Sequence, residues 1–192
     1  IMSVLVVLFL TAVLALFSGV YNQGKFARYI GILGLLVALC VSFSPELAFF
    51  NQYKSMFDFN ENAALFTKIS LVVTLLIFFL GGFAFNNHRS HQSELYSLML
   101  FSLIGAVILF SFTNLVTLFL GIEILSIPLY VMAGSNKTDL RSNEASIKYF
   151  LMGAFATGFL LFGIALIYGS TGSFDVHVIN TFSVANPKDL MF

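Results

Sequence analysis

Two ionisable side chains, a carboxylate and an amine, lie well inside long apolar stretches of this sequence. Glu123 stands in the fifth such stretch and Lys148 in the sixth, whereas the other charged residues lie in polar segments or near the ends of apolar ones. A charge at the middle of a membrane-spanning helix costs roughly 2.5–3.5 kcal/mol on insertion scales. Ionisable residues kept in a membrane at that cost are functional by default, so both are candidate site residues.

The predicted depths of these two residues are comparable. Glu123 precedes the predicted end of its helix by eleven residues, which is roughly 16 Å of helical rise. Lys148 follows Arg141 by seven residues, roughly 10 Å along the axis. The short loop between the two helices predicts antiparallel neighbours, so we expect the carboxylate and the amine to approach each other directly or through water. Glu144, four residues before Lys148 on the same helical face, is a candidate extension towards the cytoplasm.

An acid and a base that are kept away from water can move protons. Desolvation disfavours the ammonium form of a buried lysine, and a neighbouring carboxylate restores that form. A change in the position or charge of Glu123 would therefore decide whether Lys148 holds its proton, which is an electrostatic switch. The two residues can also form a salt bridge that only fastens two helices together, and the sequence leaves that alternative open.

Six apolar stretches are long enough to hold these residues in a bilayer. A spanning helix needs about 20 mostly apolar residues, and this chain of 192 residues is 59% hydrophobic and 9% charged, with a mean hydropathy of +0.96. The predicted helices cover residues 2–20, 26–43, 63–85, 95–112, 115–134 and 144–168. These runs are continuous rather than alternating, which argues against strands. The predicted fold class is an all-α polytopic transmembrane helix bundle, with residues 1–192 as one transmembrane domain.

The basic residues are divided unevenly between the two sets of loops. The first, third and fifth loops hold Lys25, Arg28, Arg89, Lys137 and Arg141. The opposite side holds Lys54, Lys68 and Lys188. Because cytoplasmic loops carry an excess of lysine and arginine, this bias predicts basic loops in the cytoplasm and the N-terminus on the outer side.

Other residues that could do chemistry have structural explanations beside the functional ones. Pro128 removes a backbone hydrogen bond and predicts a kink five residues after Glu123. The freed carbonyls would hold water near the carboxylate, or the kink would only shape the helix. His88 and His91 have a spacing that could bind a metal but is more typical of a solvated loop. Lys68 is expected to snorkel to the interface, with a role in proton access as the alternative.

The composition excludes several classes of site. A net charge of zero offers no basic surface for nucleic acid. The single cysteine, Cys40, can form no disulfide within the chain, and there is no cysteine cluster, phosphate-binding loop or haem-attachment motif. We therefore expect this chain to hold no redox centre, no cofactor and no metal, and to have the lipid bilayer as its surroundings.

The stretches around the candidate residues resemble a known family, the antiporter-like subunit N of respiratory NADH–quinone oxidoreductase (complex I). They are residues 119–130, FLGIEILSIPLY, and residues 141–150, RSNEASIKYF. Gly153-Ala154 and residues 160–172, LLFGIALIYGSTG, continue the resemblance, which is strong over about residues 119–172. The earlier helices agree with the family in number and spacing, and the context of residues 126–130 favours subunit N over subunit M.

The resemblance implies a fold of fourteen helices with two inverted five-helix repeats, of which this chain would be an N-terminal fragment that ends before the seventh helix. It implies that Glu123 and Lys148 match the glutamate and the lysine of the family's proton relay. The chain would then be a subunit of a proton-pumping enzyme in the bacterial inner membrane, with the other complex I membrane subunits as partners. FMN, iron–sulfur clusters and quinone would be bound by other subunits.

Two other functions are compatible with the same residues. Subunits of multisubunit cation/proton antiporters share a glutamate and a lysine at similar places, so an antiporter subunit is the alternative function. A membrane scaffold without a transport role is the third.

Overall fold

The computed structural model describes residues 2–20, 24–44, 57, 60–84 and 92–185. These residues form seven helices in chain order: α1 (Met2–Val20), α2 (Gly24–Ser42), α3 (Glu61–Ala84), α4 (Gln92–Phe110), α5 (Leu115–Ala133), α6 (Leu140–Thr171) and α7 (Val176–Ala185). Apart from two isolated bridges, the described residues contain no β structure. The predicted all-α bundle is confirmed.

Five of these helices, α1, α3, α4, α5 and α6, are long and apolar enough to cross a membrane. The apolar part of α2, Phe26–Ser42, is shorter. A helix of 32 residues, the length of α6, extends over roughly 48 Å, which exceeds the hydrocarbon core of a bilayer by about 18 Å. One end of α6, or both, therefore has room to lie outside the hydrocarbon.

The core of the bundle is built around α4, which packs against α1, α2, α3 and α5. Tyr96, Leu100, Leu103 and Val107 of α4 are buried at the spacing of one helical face. Lipid is as apolar as these side chains, so close van der Waals packing rather than burial from water holds such helices together. α6 lies at the edge of the bundle, against α5 and α7.

Several helix ends differ from the predicted positions, and capping residues explain both ends of α6. α6 begins at Leu140 rather than at residue 144, because the Asp139 carboxylate accepts a hydrogen bond from the Arg141 amide at 3.0 Å and caps the helix. α6 continues to Thr171, three residues past the prediction, and ends at Gly172 with φ of +69°. α2, α3 and α4 each begin two or three residues before the predicted start.

The six predicted helices end at residue 168, but residues 176–185 form a further helix, α7. Its start is fixed by two sets of contacts. The Asp175 carboxylate accepts a hydrogen bond from the His177 amide at 2.8 Å. Asn114 and Asp175 form an antiparallel bridge, and the Val176 amide donates to the Thr113 carbonyl at 2.9 Å. The same loop pairs Phe112 with Phe57, which ends α4 two residues before the predicted position.

Several sequence predictions fall outside the described residues. They concern the histidines His88 and His91 and the loop charges Lys54, Arg89 and Lys188. The expectation that the two histidines of the third loop are solvated, and part of the charge bias, therefore stay predictions.

Candidate functional site

The site is organised by the contact between α5 and α6. Gly134 lies directly against the side chain of Ser146, and Gly153 lies against the ring and hydroxyl of Tyr130. The Ser142 hydroxyl donates to the Ala133 carbonyl at 2.7 Å. The two helices therefore run antiparallel and in close contact, as the short loop predicts.

These contacts fix which residues of α5 and α6 lie at the same depth. Gly134 is level with Ser146, and the Tyr130 ring contacts the Phe150 ring at a centroid distance of 6.0 Å. At the other end, Phe119 and Leu161 line one cavity between the helices. Because both helices rise at the same rate, Glu123 is level with Thr157.

Glu123 lies at the middle of α5 and on the face of that helix that contacts α6. Val116, Phe119 and Tyr130 belong to this face, since each lies at the α5–α6 contact. At 3.6 residues per turn, Glu123 falls on the same stripe. Its side chain is half-buried and forms no hydrogen bond or ion pair with Lys148. The polar group across from it is the Thr157 hydroxyl, which donates to the Gly153 carbonyl at 3.1 Å.

Lys148 pairs with Glu144 and not with Glu123. The Lys148 ammonium and a Glu144 carboxylate oxygen form an ion pair one helical turn apart, on side chains that are 69% and 63% exposed. Both residues lie on the face of α6 opposite to Ser146 and Gly153, the residues that contact α5. The structure therefore brings two of the three candidate residues together, on a surface that α5 does not cover.

In the structure, the side chains of Glu123 and Lys148 do not approach each other, contrary to expectation. Lys148 is nine residues from the level of Thr157, roughly 13 Å along the axis, and it projects from the other side of α6. The depth estimate is wrong because the first one and a half turns of α6 extend past the end of α5, so that Gly134 is level with Ser146. Sequence spacing gave no information on this offset.

The α5 backbone is interrupted one turn after Glu123. Pro128 lies buried inside the helix and has no amide hydrogen, so the Ile124 carbonyl lacks the donor that an uninterrupted helix would supply. The Ser126 hydroxyl donates to the Ile122 carbonyl at 2.7 Å. The turn that carries Glu123 thus combines a carboxylate, a carbonyl without its helical donor and a hydroxyl within a few residues.

Two residues near Glu123 were not recognised in the sequence as part of the site. Thr157 belongs to a stretch of small residues in α6 that indicates only close helix packing. Gly105 in α4 has no signal of its own, yet it lies against the α5 backbone at Ile124 and Leu125. Both become visible only when the helices are placed side by side.

The remaining candidate residues lie away from this site. The Lys68 ammonium lies 4.4 Å from the centroid of the Phe43 ring, next to the end of α2, an arrangement that fits a cation–π contact near a helix C-terminus. Within the described ranges, no group of three or more histidine, cysteine, aspartate or glutamate side chains is arranged to hold a metal ion.

Comparison with known proteins places this site in a described family. Residues 112–192, which contain α5, α6 and α7, match the family model "NADH:quinone oxidoreductase/Mrp antiporter, TM". Subunit N of NADH-quinone oxidoreductase from Cytophaga hutchinsonii is 44% identical over 160 residues, which cover 82% of this chain and 34% of that protein.

Solved structures show the same fold. A chain of respiratory complex I from Thermus thermophilus matches with a TM-score of 0.68 at 29% identity, over 90% of this chain and 38% of that one. A chain of the archaeal membrane-bound sulfane sulfur reductase matches with a TM-score of 0.72 at 23% identity, over 97% of this chain and 42% of that one. The second match shows the fold alone.

The chain spans between 34% and 39% of the length of three curated relatives that it matches. Those relatives carry the same name, although they come from different bacteria, and their identity to this chain extends over most of the described helices. With its apolar spanning helices and its match to complex I, this chain belongs to the family of subunit N of NADH-quinone oxidoreductase.

Proposed function

We propose that this chain forms part of a proton-translocating membrane subunit of NADH–quinone oxidoreductase. The observation that carries the proposal is the Glu144–Lys148 ion pair within a spanning helix, in the stretch that matches the family model. In this proposal the subunit lies in the bacterial inner membrane with its N-terminus outside. It assembles with the other membrane subunits of the complex, and FMN, iron–sulfur clusters and quinone are bound elsewhere.

Glu144 is the direct proton partner of Lys148 in this mechanism. The ammonium donates its proton to the adjacent carboxylate, which converts an ion pair into two neutral groups, and the reverse transfer restores the charges. In a spanning helix the neutral pair loses less hydration than the ion pair, so a modest change in the surroundings moves the balance. When one member of the pair takes up a proton and the other releases one, the proton advances by one step along the pathway.

Glu123 acts on this pair from a distance. Two unit charges about 15 Å apart interact by about 1 kcal/mol at an effective dielectric constant of about 20. An interaction of that size corresponds to roughly a fivefold effect, so Glu123 influences the transfer between Lys148 and Glu144 without determining it. Polar groups or water between the two helices must complete the connection, and Thr157 and the interrupted turn of α5 are the groups nearest Glu123.

The test uses Glu123→Gln and Lys148→Ala in the assembled enzyme. Both are expected to reduce the number of protons pumped per NADH oxidised in membrane vesicles, without loss of membrane insertion. Asp139→Asn is the matched control, because it removes a carboxylate of the same protein and leaves a good helix cap. Unchanged pumping in Glu123→Gln and in Lys148→Ala would remove both residues from the mechanism.

A cation/proton antiporter subunit is the second candidate, because the description of the family model names that class as well. Purification of the tagged protein from its own membranes separates the two. Co-purification of flavin and iron–sulfur subunits supports the oxidoreductase. Co-purification of antiporter subunits without them supports the second candidate.

A further inference from the structure

The backbones of α4 and α5 come into direct contact where Gly105 lies against the peptide between Ile124 and Leu125. A Cβ atom at position 105 would lie 2.7 Å from the Leu125 Cα and 2.8 Å from the Ile124 carbonyl carbon, and still closer to the Leu125 amide nitrogen. Real Cβ atoms essentially never come within 3.0 Å of other heavy atoms. Only glycine fits at this position without displacement of one backbone.

This contact falls on the turn of α5 whose hydrogen bonding is interrupted. The Ile124 carbonyl lacks a helical donor because residue 128 is proline. In the same turn, the Ser126 hydroxyl donates to the Ile122 carbonyl, one residue before Glu123. A turn with a missing hydrogen bond is held less firmly by its own helix, so its orientation depends more on what packs against it.

We propose that Gly105 is a positioning residue for Glu123. By lying flat against the Ile124–Leu125 peptide, the α4 backbone fixes the orientation of the interrupted turn. The direction of the neighbouring Glu123 side chain towards α6 follows from that orientation. This inference rests on the proposed function, since it assigns a role to Gly105 only through Glu123.

A second glycine in the same helix contact provides the control. A Cβ at Gly121 would meet side-chain atoms of Leu109 and Ile108, at 2.8 to 3.0 Å, and no backbone atom of α4 is among its three nearest contacts. Those side chains can rotate away, whereas the peptide at Ile124 cannot. Gly121→Ala therefore adds the same methyl group to the same pair of helices without displacing the interrupted turn.

The experiment measures protons pumped per NADH oxidised in vesicles that contain the assembled enzyme, for Gly105→Ala, Gly121→Ala, Glu123→Gln and the double variant Gly105→Ala/Glu123→Gln. Gly105→Ala is expected to reduce pumping by up to roughly fivefold, and by no more than Glu123→Gln does, because it acts only through Glu123. Gly121→Ala is expected to keep most of the pumping. In the double variant, Gly105→Ala should add nothing to Glu123→Gln, because residues that act as a unit are not additive.

Failure of this inference can be told apart from failure of the proposed function. If Glu123→Gln pumps normally, the role of Glu123 itself is overturned. If Glu123→Gln is impaired but Gly105→Ala pumps normally, or lowers pumping further in the Glu123→Gln background, only the positioning role is overturned.

A second variant covers the case in which Gly105→Ala does not assemble. Pro128→Ala returns an amide donor to the Ile124 carbonyl without adding bulk against α4. A reduction in pumping that is not additive with Glu123→Gln supports the positioning role of this turn. Normal pumping in Pro128→Ala, or a reduction additive with Glu123→Gln, overturns it.

Discussion

At the scale of single residues, the candidate site consists of an ion pair and a separate carboxylate. Sequence spacing predicted Glu123 as the partner of Lys148, with a helix-fastening salt bridge as the structural alternative. The observed pair joins Lys148 to Glu144 within α6, so it fastens no two helices together. A surface pair one turn apart stabilises a helix by only about 0.3–0.5 kcal/mol, so little of the stability of α6 depends on this pair.

Glu144→Gln tests whether the pair serves transport or helix stability. The stability of the purified protein is expected to change by less than about 1 kcal/mol, because the lost pair is more than half exposed. Proton pumping is expected to fall strongly, because Lys148 loses the acceptor of its proton. Thermal unfolding and vesicle pumping are measured on the same preparation, with Glu61→Gln at the exposed start of α3 as the control. A variant that is less stable but pumps normally would assign the pair to structure.

At the scale of elements, the ends of the helices follow from local chemistry. Asn114 accepts a hydrogen bond from the Val116 amide at 2.8 Å at the start of α5, and Asp139 does the same for α6. α6 ends where Gly172 adopts a left-handed conformation and donates its amide hydrogen to the Tyr168 carbonyl at 2.7 Å. Beyond that residue the chain turns back, so that Phe174 stacks on Tyr168 and α7 can begin.

Gly172→Ala is expected to destabilise this end of α6 by about 1–2 kcal/mol, because an L side chain disfavours a φ of +69°. No atom of another residue obstructs the new methyl group, so the cost comes from the backbone alone. Gly169→Ala, three residues earlier inside the helix, should instead stabilise by up to about 1 kcal/mol. Thermal unfolding of the two purified variants measures the difference, and equal shifts would contradict the role of the left-handed cap.

At the scale of the whole molecule, α6 has a large surface that the described part of this chain leaves uncovered. Leu151, Phe155 and Phe162 are between 59% and 70% exposed and share the face of Lys148. A lipid-facing surface would suit these apolar side chains but not the ion pair on the same face. We therefore expect protein or water, rather than lipid, beside the charges on this face.

A spin label tests what covers this face. In a Cys40→Ser background, a label at Phe155→Cys is expected to collide with oxygen no more often than a label at Ile164→Cys, which is buried in the chain itself. Oxygen dissolves well in lipid, so a lipid-facing label would show far more frequent collisions. Electron paramagnetic resonance of the assembled enzyme in bilayers gives both rates, and a high rate at Phe155 would contradict the covered position of the ion pair.

Most of the fold follows from the sequence, because the length of a spanning helix is set by the length of the apolar stretch that forms it. α1 was predicted with its observed bounds, and the ends of the other spans differ from the predicted positions by at most four residues. The larger errors arise from contacts between distant segments. α7 depends on the pairing of Asp175 with Asn114, and the end of α4 depends on the pairing of Phe112 with Phe57. Such contacts leave no periodic signal in the segments themselves.

The sequence by itself determined that Glu123 and Lys148 are charges inside long apolar stretches, because apolar surroundings are a property of the neighbouring residues along the chain. It also determined that Glu144 and Lys148 share a face, because one helical turn separates them. Only the tertiary structure decided that Glu123 faces α6 while Lys148 faces away from α5. The offset of the two helices is set by contacts at Gly134, Tyr130 and Gly153, and no spacing within either helix encodes how far one slides along the other.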